Sequence, residues 1–261
     1  MPIATLMRQK YRMVLIRSPH EIMGDQFSSE IFPKVIGLKT TGYQKEYGEF
    51  VLPFDSSDFI ASHLLLTEIM PDKTLCPVLG FKSVTLKRCD DYKIPFPVLS
   101  MVEGTTPNPE YREHFLKIMN KFRDEGKADQ LAYNGSFTIL PRLREDKILM
   151  KSLWDITFSL LTNYYIEYNI HHVVAVCATT FNVHKKKADL GWNYIQGEGG
   201  ILESYKCKAL FGTSLIPMEL VDVKSKSQQP SEKFKDMWED RITLDRESID
   251  KLRTEKFKEA A

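Results

Sequence analysis

The sequence has no apolar run as long as the roughly 20 residues that a membrane-spanning helix needs. Residues 1–10 also lack the apolar core and the small-residue cleavage site of a secretory signal. Four cysteines (Cys76, Cys89, Cys177 and Cys207) form no CxxC pair, so buried or free thiols are expected, although four could pair in three ways. A net charge of +1 gives no case for nucleic-acid binding. These absences predict a cytoplasmic protein without a transmembrane segment.

What the sequence does contain is the composition of an ordinary globular protein. Hydrophobic residues make up 43% and charged residues 27% of 261 positions, which is enough for one large domain with a full core. From Val223 onward the composition becomes polar and highly charged, with sparse apolar positions. We therefore expect a domain over residues 1–222 and an appendage of two short amphipathic helices over residues 223–261.

The N-terminal part predicts a strand, a helix and a long loop. Tyr11 to Ile16 is short, apolar and partly β-branched, which is typical of a strand. Pro19 can open a helix, and apolar residues continue at helical spacing as far as Phe32. Pro33 and the glycines Gly37, Gly42 and Gly48 then predict a loop of about fifteen residues, a length that is usually functional or mobile.

The middle of the chain predicts an antiparallel hairpin and a second helix. A strand over Ser62 to Ile69 follows a turn, and Pro77 to Lys87 alternates apolar and polar residues as a half-buried strand does. Asn108 is a good N-cap with Pro109 at the first helical position, and Gly126 ends that helix.

The pattern around which the rest is organised lies between Tyr133 and Trp192. A short strand from Ser136 to Leu140 enters a basic turn (Pro141 to Arg144), a helix of about twenty residues follows, and His172 to Ala178 forms a second strand. Such a βαβ crossover can receive an anionic ligand at the N-terminus of its helix. Tyr205 to Met218 predicts a closing strand pair.

This order of elements resembles the GNAT acyltransferase fold, and within it the acyl-homoserine-lactone (autoinducer) synthases and the long-chain N-acyl amino acid synthases. The residues that carry the resemblance are Phe54 to Asp58 leading to His63 to Leu66, then Phe137 to Arg142, and finally Ala188 to Trp192. The resemblance implies an α+β fold, an α/β/α sandwich with a mixed, mostly antiparallel central sheet. It also implies an N-acyltransferase that moves a fatty acyl group to the amine of an amino acid or similar small metabolite. The donor would be an acyl-carrier-protein or acyl-CoA thioester, used as a co-substrate with no tightly bound cofactor and no metal.

The resemblance also maps a donor site onto this sequence. It places the pantetheine arm along Phe137, Thr138, Ile139 and Leu140. It places the phosphate near the following turn, where the cations are Arg142, Arg144 and, on the first helical turn, Lys147. Arginine forks and a helix dipole suit phosphate oxygens, although a solvated basic loop would look the same.

On the acceptor side, Asp55 and Asp58 map to an acidic pair that holds the amine. Asp-Ser-Ser-Asp is also a common turn composition, so both explanations stay open. The synthases carry a glutamate and an arginine at the start of the fourth strand, where Tyr133 and Ser136 stand here and complete the candidate catalytic set. In ordinary GNAT enzymes a tyrosine general acid precedes a helix-ending glycine by four residues, and the corresponding residue here is Lys187.

Ordinary structural roles explain the remaining polar residues. His171 and His172 are adjacent in a strand and point to opposite faces, so they do not suggest one metal site. Cys177 is expected to be a small buried hydrophobe. The basic run from His184 to Lys187 is either a solvated face or a docking site for an acidic carrier protein. Two rival functions stay open, namely a catalytically degenerate acyl-binding protein and a conventional acetyl-CoA-dependent N-acetyltransferase.

Overall fold

A computed structural model describes residue 7 and residues 9–103, 109–223 and 232–251. Its centre is a nine-stranded sheet with the order β11-β1-β2-β3-β4-β5-β10-β6, in which β9 also pairs with β10. A separate two-stranded hairpin consists of β7 and β8. The strands are β1 (Tyr11–Arg17), β2 (Ser62–Ile69), β3 (Leu75–Thr85), β4 (Leu131–Ile139), β5 (His172–Ala178), β6 (Asn193–Tyr194), β7 (Gln196–Gly197), β8 (Gly200–Ile201), β9 (Tyr205–Cys207), β10 (Thr213–Val221) and β11 (Ile242–Leu244).

Helices connect these strands and cover both faces of the sheet. The α-helices are α1 (Pro19–Ile22), α2 (Gln26–Tyr47), α3 (Ser57–Ile60), α4 (Leu86–Asp91), α5 (Pro97–Glu103), α6 (Pro109–Asp124), α7 (Lys147–Glu167), α8 (Val183–Asp189) and α9 (Lys235–Glu239). Pro141–Leu143 is a single 3₁₀ turn between β4 and α7. Within the described residues, no helix is both long and apolar enough to cross a membrane.

Alternation along the strands sends apolar side chains to both faces, as a sheet covered on two sides requires. On one face, Leu15 and Leu64 share a core with Leu160 of α7. On the other face, Val14 packs with Val35 of α2. The neighbouring strands on that second face pack against α5 and α6. The predicted α/β/α sandwich with a mixed, mostly antiparallel sheet is confirmed, because only the β1–β11 and β4–β5 pairs among the described strands are parallel.

The loop predicted after Phe32 is wrong, because residues 26–47 form one continuous helix. Asp25 caps it by accepting a hydrogen bond from Ser28 N at 3.0 Å. A proline inside a helix costs about 3 kcal/mol, and each glycine about 1 kcal/mol. Burial of one apolar face of α2 against the sheet outweighs those penalties, since tertiary packing supplies most helix stability.

The predicted βαβ unit and hairpin are confirmed, with shifted bounds. β2 has its predicted limits, whereas β4 begins at Leu131 rather than Ser136. The helix at Pro109 and the turn at Gly126, whose φ is +66°, are also present. Asn108, the predicted cap, lies outside the described residues.

The C-terminal segment contains a strand that the sequence analysis did not predict. α9 and a helical segment at residues 246–251 flank β11, which pairs in parallel with β1 through Val14↔Ile242 and Ile16↔Leu244. Trp238 of α9 is buried in the same core cluster as α7. Residues 234–244 therefore pack as part of the sheet and its core.

Candidate functional site

The parallel strands β4 and β5 pair over only four residues and then separate. Their register runs from Leu131↔His172 to Asn134↔Ala175 and stops there. Between the separated strands lies a cavity of about 330 Å³, which we call the wedge cavity. Its walls come from residues 134–139 of β4, residues 176–178 of β5, the end of α2, the start of α7 and the α8 region. The donor-site prediction depends on two neighbouring strands that separate beside the basic turn. β4 and β5 have this geometry.

A β-bulge in β4 coincides with the start of this opening. Gly80 of β3 pairs with Thr138, whereas Lys82 pairs with Gly135, so β4 contains one extra residue opposite β3. Ser136 lies in this bulge with a φ of +56°, a left-handed conformation that is rare for residues other than glycine. A bulge bends the strand that carries it and interrupts the ladder. The bulge thus accounts for the divergence of β4 from β5.

A second cavity, of about 360 Å³, borders the first. We call it the Asp55 cavity, after the one acidic side chain among its described lining residues. Five residues line both cavities: Tyr43, Tyr47, Ser136, Val176 and Ala178. Burial raises the pKa of Tyr43, so its phenol stays protonated. Molecules bound in the two cavities would meet at this junction.

Asp58 is the centre of a buried ion cluster. Its Oδ2 accepts hydrogen bonds from Lys82 Nζ at 2.9 Å and from the backbone N–H of Asp55 at 2.9 Å, and its Oδ1 accepts one from Lys39. Burial alone would raise the pKa of Asp58, but the ammonium groups of Lys39 and Lys82 hold it below its ordinary value. Asp58 is fully buried and stays charged, so it holds the cluster together and lies outside both cavity linings.

Asp55 has a different environment although it lies three residues away. Its Oδ1 accepts hydrogen bonds from Lys82 Nζ at 3.0 Å and from the backbone N–H of Ser57 at 2.8 Å. Its side chain is 58% exposed, and its Oδ2 accepts no hydrogen bond from the described residues. The structure thus separates the predicted acidic pair into a structural carboxylate and an available one.

Sequence reasoning missed both lysines of this cluster. Lys39 belongs to the helix that was predicted as a loop, where its burial follows the same helix face as Val35. Lys82 lies in the alternating strand β3, where a polar residue is expected at every second position. The signal in the sequence that could have indicated the cluster was a lysine in the hairpin strand that follows the acidic turn. His63 completes the surroundings, since its Nε2 donates to Asp58 O at 2.7 Å and burial lowers its pKa to about 4.

Lys187 is a buried lysine in the wedge cavity. Its Nζ donates to Asn134 Oδ1 at 3.2 Å and lies 3.8 Å from the centre of the Trp192 ring. It forms no ion pair with a carboxylate of the described residues, and burial lowers its pKa. A lysine in such a place exchanges its proton more readily than a surface lysine does.

The basic turn supplies one cation to the wedge cavity. Arg144 lines it, donates from Nε to Ile139 O at 2.8 Å and pairs with Glu46. Arg142 instead pairs with Glu68 of β2. Asp146 caps α7 by accepting from Ile148 N and Leu149 N, each at 2.9 Å, so a carboxylate already occupies those amides of the helix N-terminus.

The predicted site residues are therefore partly brought together. Those lining the wedge cavity are Ser136, Phe137, Thr138, Ile139 and Arg144. Those lining the Asp55 cavity are Asp55, Tyr133 and Ser136. Those outside both linings are Asp58, Leu140, Arg142 and Lys147.

The histidines and cysteines considered as candidate sites in the sequence have ordinary structural contacts. His172 is hydrogen-bonded to Glu219 at 2.8 Å, and His171 to Asn169 at 3.0 Å. All four cysteines are free thiols, as expected. Cys177 is buried, although it also lines the wedge cavity.

The sequence matches no protein-family model and no curated protein sequence. Two solved acyl-homoserine lactone synthases are similar to the chain in structure. The CoA-dependent synthase BjaI, with SAM and isopentyl-CoA, has a TM-score of 0.51 and 12% identity over 90% of this chain and 92% of its own. LasI has a TM-score of 0.51 and 13% identity over 90% and 98%. FeeM, an N-acyl amino acid synthase from uncultured soil microbes, has a TM-score of 0.45 and 13% identity over 85% and 97%. The chain has the GNAT-like α+β fold of the acyl-homoserine lactone synthases, the fold that its sequence predicted.

Proposed function

We propose that the chain is an N-acyltransferase that moves a fatty acyl group from an acyl-carrier-protein or acyl-CoA thioester to the amine of a small metabolite. The observation that supports this most directly is the separation of β4 from β5 beyond Asn134 and Ala175. Among the described residues, this leaves the β5-facing edge of β4 without a strand partner beside the wedge cavity. A pantetheine arm carries amide groups, and an extended molecule with amides pairs with such an edge as an added strand does.

The walls of the wedge cavity suit the remaining parts of the donor. The ring of Phe137 lies 4.8 Å from that of Trp154, which gives one wall an apolar, aromatic surface for a fatty chain. Arg144 and Lys186 are cations in the lining that can attract a phosphate. Arg142 of the basic turn and Lys147 at the start of α7 add positive potential nearby, and Glu68 offsets the charge of Arg142.

In the proposed reaction the neutral amine attacks the thioester carbonyl, and the carbon–sulfur bond then breaks. Asp55 binds the incoming ammonium through its available oxygen and accepts its proton directly or through water. Backbone N–H groups of the bulge at Ser136 stabilise the oxyanion at the junction of the cavities. Burial raises the pKa of Tyr133, so its hydroxyl in the Asp55 cavity stays a hydrogen-bond donor that orients the acceptor. Lys187 gives a proton to the departing thiolate.

The test is incubation of the purified protein with acyl-carrier-protein and acyl-CoA donors of short, medium and long chain, together with a panel of amines. Release of thiol is followed by a colorimetric reagent, and the acylated amine is identified by mass spectrometry. We expect both signals to require donor and amine together. Tight binding of an acyl thioester without release would favour the acyl-binding rival. Turnover confined to acetyl-CoA would favour the conventional acetyltransferase. No thiol release with any pair would contradict the proposal.

A further inference from the structure

We infer that the acceptor is a primary amine whose other substituents are apolar and uncharged, and that an amino acid with a free carboxylate is a poor acceptor. This inference rests on the proposed function and specifies the molecule that enters the Asp55 cavity. It is carried by the charges that line the cavity and by the hydrogen bonds that those charges already make.

The first observation is the charge count of the lining. Among the described residues that line the Asp55 cavity, the charged side chains are those of Asp55 and Lys82. An acceptor carboxylate entering this cavity would therefore need Lys82 as its counter-ion.

The second observation is that Lys82 has no hydrogen left to donate. Its ammonium group has three N–H donors. Their acceptors are Asp55 Oδ1 at 3.0 Å, Ser57 Oγ at 2.8 Å and Asp58 Oδ2 at 2.9 Å. Its side chain is only 2% exposed. A bound carboxylate could reach Lys82 only by breaking the buried ion cluster, in which Asp58 also serves Lys39.

The third observation concerns the opposite charge. Asp55 is 58% exposed, and its Oδ2 accepts no hydrogen bond from the described residues. It can therefore receive an ammonium group without loss of any existing hydrogen bond. The same carboxylate repels a second carboxylate in the cavity, and a charge that is taken out of water without a partner is strongly disfavoured.

Most of the remaining lining residues of the Asp55 cavity are apolar, which favours an apolar substituent on the acceptor. The apolar lining residues come from two parts of the chain. The earlier part supplies Phe54, Ile94, Pro95 and Met101, and the part around β10 supplies Leu210 and Leu215. Apolar walls around one available carboxylate suit an ammonium group with an apolar substituent.

The experiment compares matched acceptors that differ only by the carboxylate. The pairs are tyramine with tyrosine, phenethylamine with phenylalanine, and isoamylamine with leucine, each with the best donor from the panel. The methyl esters of the three amino acids form a third arm, because they keep the substitution at the α-carbon and remove the negative charge. We expect kcat/KM for the amine to exceed that for the amino acid by about 100-fold, or about 2.7 kcal/mol, with the ester close to the amine.

Binding measured by calorimetry without donor makes the result independent of turnover. If no acceptor is acylated, the proposed function fails, while tyramine binding with no tyrosine binding still supports the inference. The inference would be overturned if the amino acids were acylated as fast as the amines, or bound as tightly as the amines. It would also be overturned if the amines neither bound nor reacted.

A gain-of-function variant provides a matched control. Ser100 of α5 lines the Asp55 cavity and is exposed. Ser100→Lys adds a cation without existing partners, so we expect the preference for amine over amino acid to fall by about tenfold, as one charged hydrogen bond would give. Ser100→Gln adds similar bulk without charge and should leave that preference unchanged. The same preference in both variants would contradict the charge argument.

Discussion

Helix α2 packs closely against strand β4 at Gly42. A Cβ at Gly42 would lie 2.0 Å from Thr138 Oγ1 and 3.3 Å from Arg144 Nη2. A Cβ at Gly37, in the same helix, would have no heavy atom within 4 Å. Glycine-to-alanine substitutions at these two positions share the helical context and differ in the space that they meet.

The expected magnitudes follow from this difference. Alanine is favoured over glycine in a helix interior by about 1 kcal/mol, so Gly37→Ala should raise the free energy of unfolding by about that amount. Gly42→Ala gains the same helix propensity but forces Thr138 or α2 to move, and overpacking of this kind costs about 1–3 kcal/mol. The helix term cancels between the variants, so Gly42→Ala should be less stable than Gly37→Ala by about 1–3 kcal/mol.

Urea unfolding followed by circular dichroism measures this difference, and the slopes of the two curves should agree. Activity adds a second measurement, because the turn after Gly42 carries Tyr43 and Glu46, which line the wedge cavity. We expect Gly42→Ala to slow acyl transfer more than Gly37→Ala does. If the two variants unfold at the same urea concentration, the close contact between α2 and β4 is refuted.

Three further predictions concern charged groups. Asp55→Asn should lower kcat/KM for acylation with little change in stability. Asp58→Asn should destabilise the fold by about 3–5 kcal/mol, because among the described residues it leaves Lys39 buried without a carboxylate and Lys82 with Asp55 alone. Lys187→Met and Lys187→Arg should both lower kcat more than they change the KM for donor, since neither side chain can give a proton to the thiolate. The pKa of His63 is about 4 in the fold and 6.5 ordinarily, so the unfolded chain alone takes up the proton between these values and stability falls as the pH falls. Between pH 7 and pH 5, the free energy of unfolding of His63→Gln should therefore fall by about 2 kcal/mol less than that of the wild type, as measured by urea unfolding.

Each of these predictions has a contrary result. Parallel losses of stability in the two aspartate variants would contradict their division of roles. An unchanged kcat in Lys187→Met would remove that lysine from the proton transfer. The same pH dependence in His63→Gln and wild type would show that His63 keeps an ordinary pKa.

The regular elements of the sheet could be predicted because their signals are local. β2 is a short apolar run between turns, and β5 is another, so their limits follow from the sequence. The helix from Gln26 to Tyr47 could not be predicted in this way, because the proline and the glycines within it disfavour a helix locally. Packing of the helix against the sheet determines its structure instead. β11 is only three residues long among charged neighbours, and its pairing with β1 makes it a strand.

The candidate site could be predicted where a short local segment was enough to identify a lining element. The acidic turn at Asp55 and the strand from Phe137 to Ile139 do line cavities. Which of two nearby carboxylates is buried depends on lysines from distant elements, and no local pattern contains that information. The same holds for Arg142, whose partner Glu68 is 74 residues away. The opening of β4 from β5 depends on where a ladder stops, which the bulge at Ser136 determines.

The pairing of β11 with β1 joins an early strand of the chain to a late one. During synthesis β1 emerges first, and its side facing β11 keeps unpaired N–H and C=O groups until Leu244 has left the ribosome. Until then the nascent sheet has an open edge that can pair with another growing chain. A chain that stops before Leu244 keeps this edge of β1 open, so we expect it to self-associate more readily than a chain that contains β11.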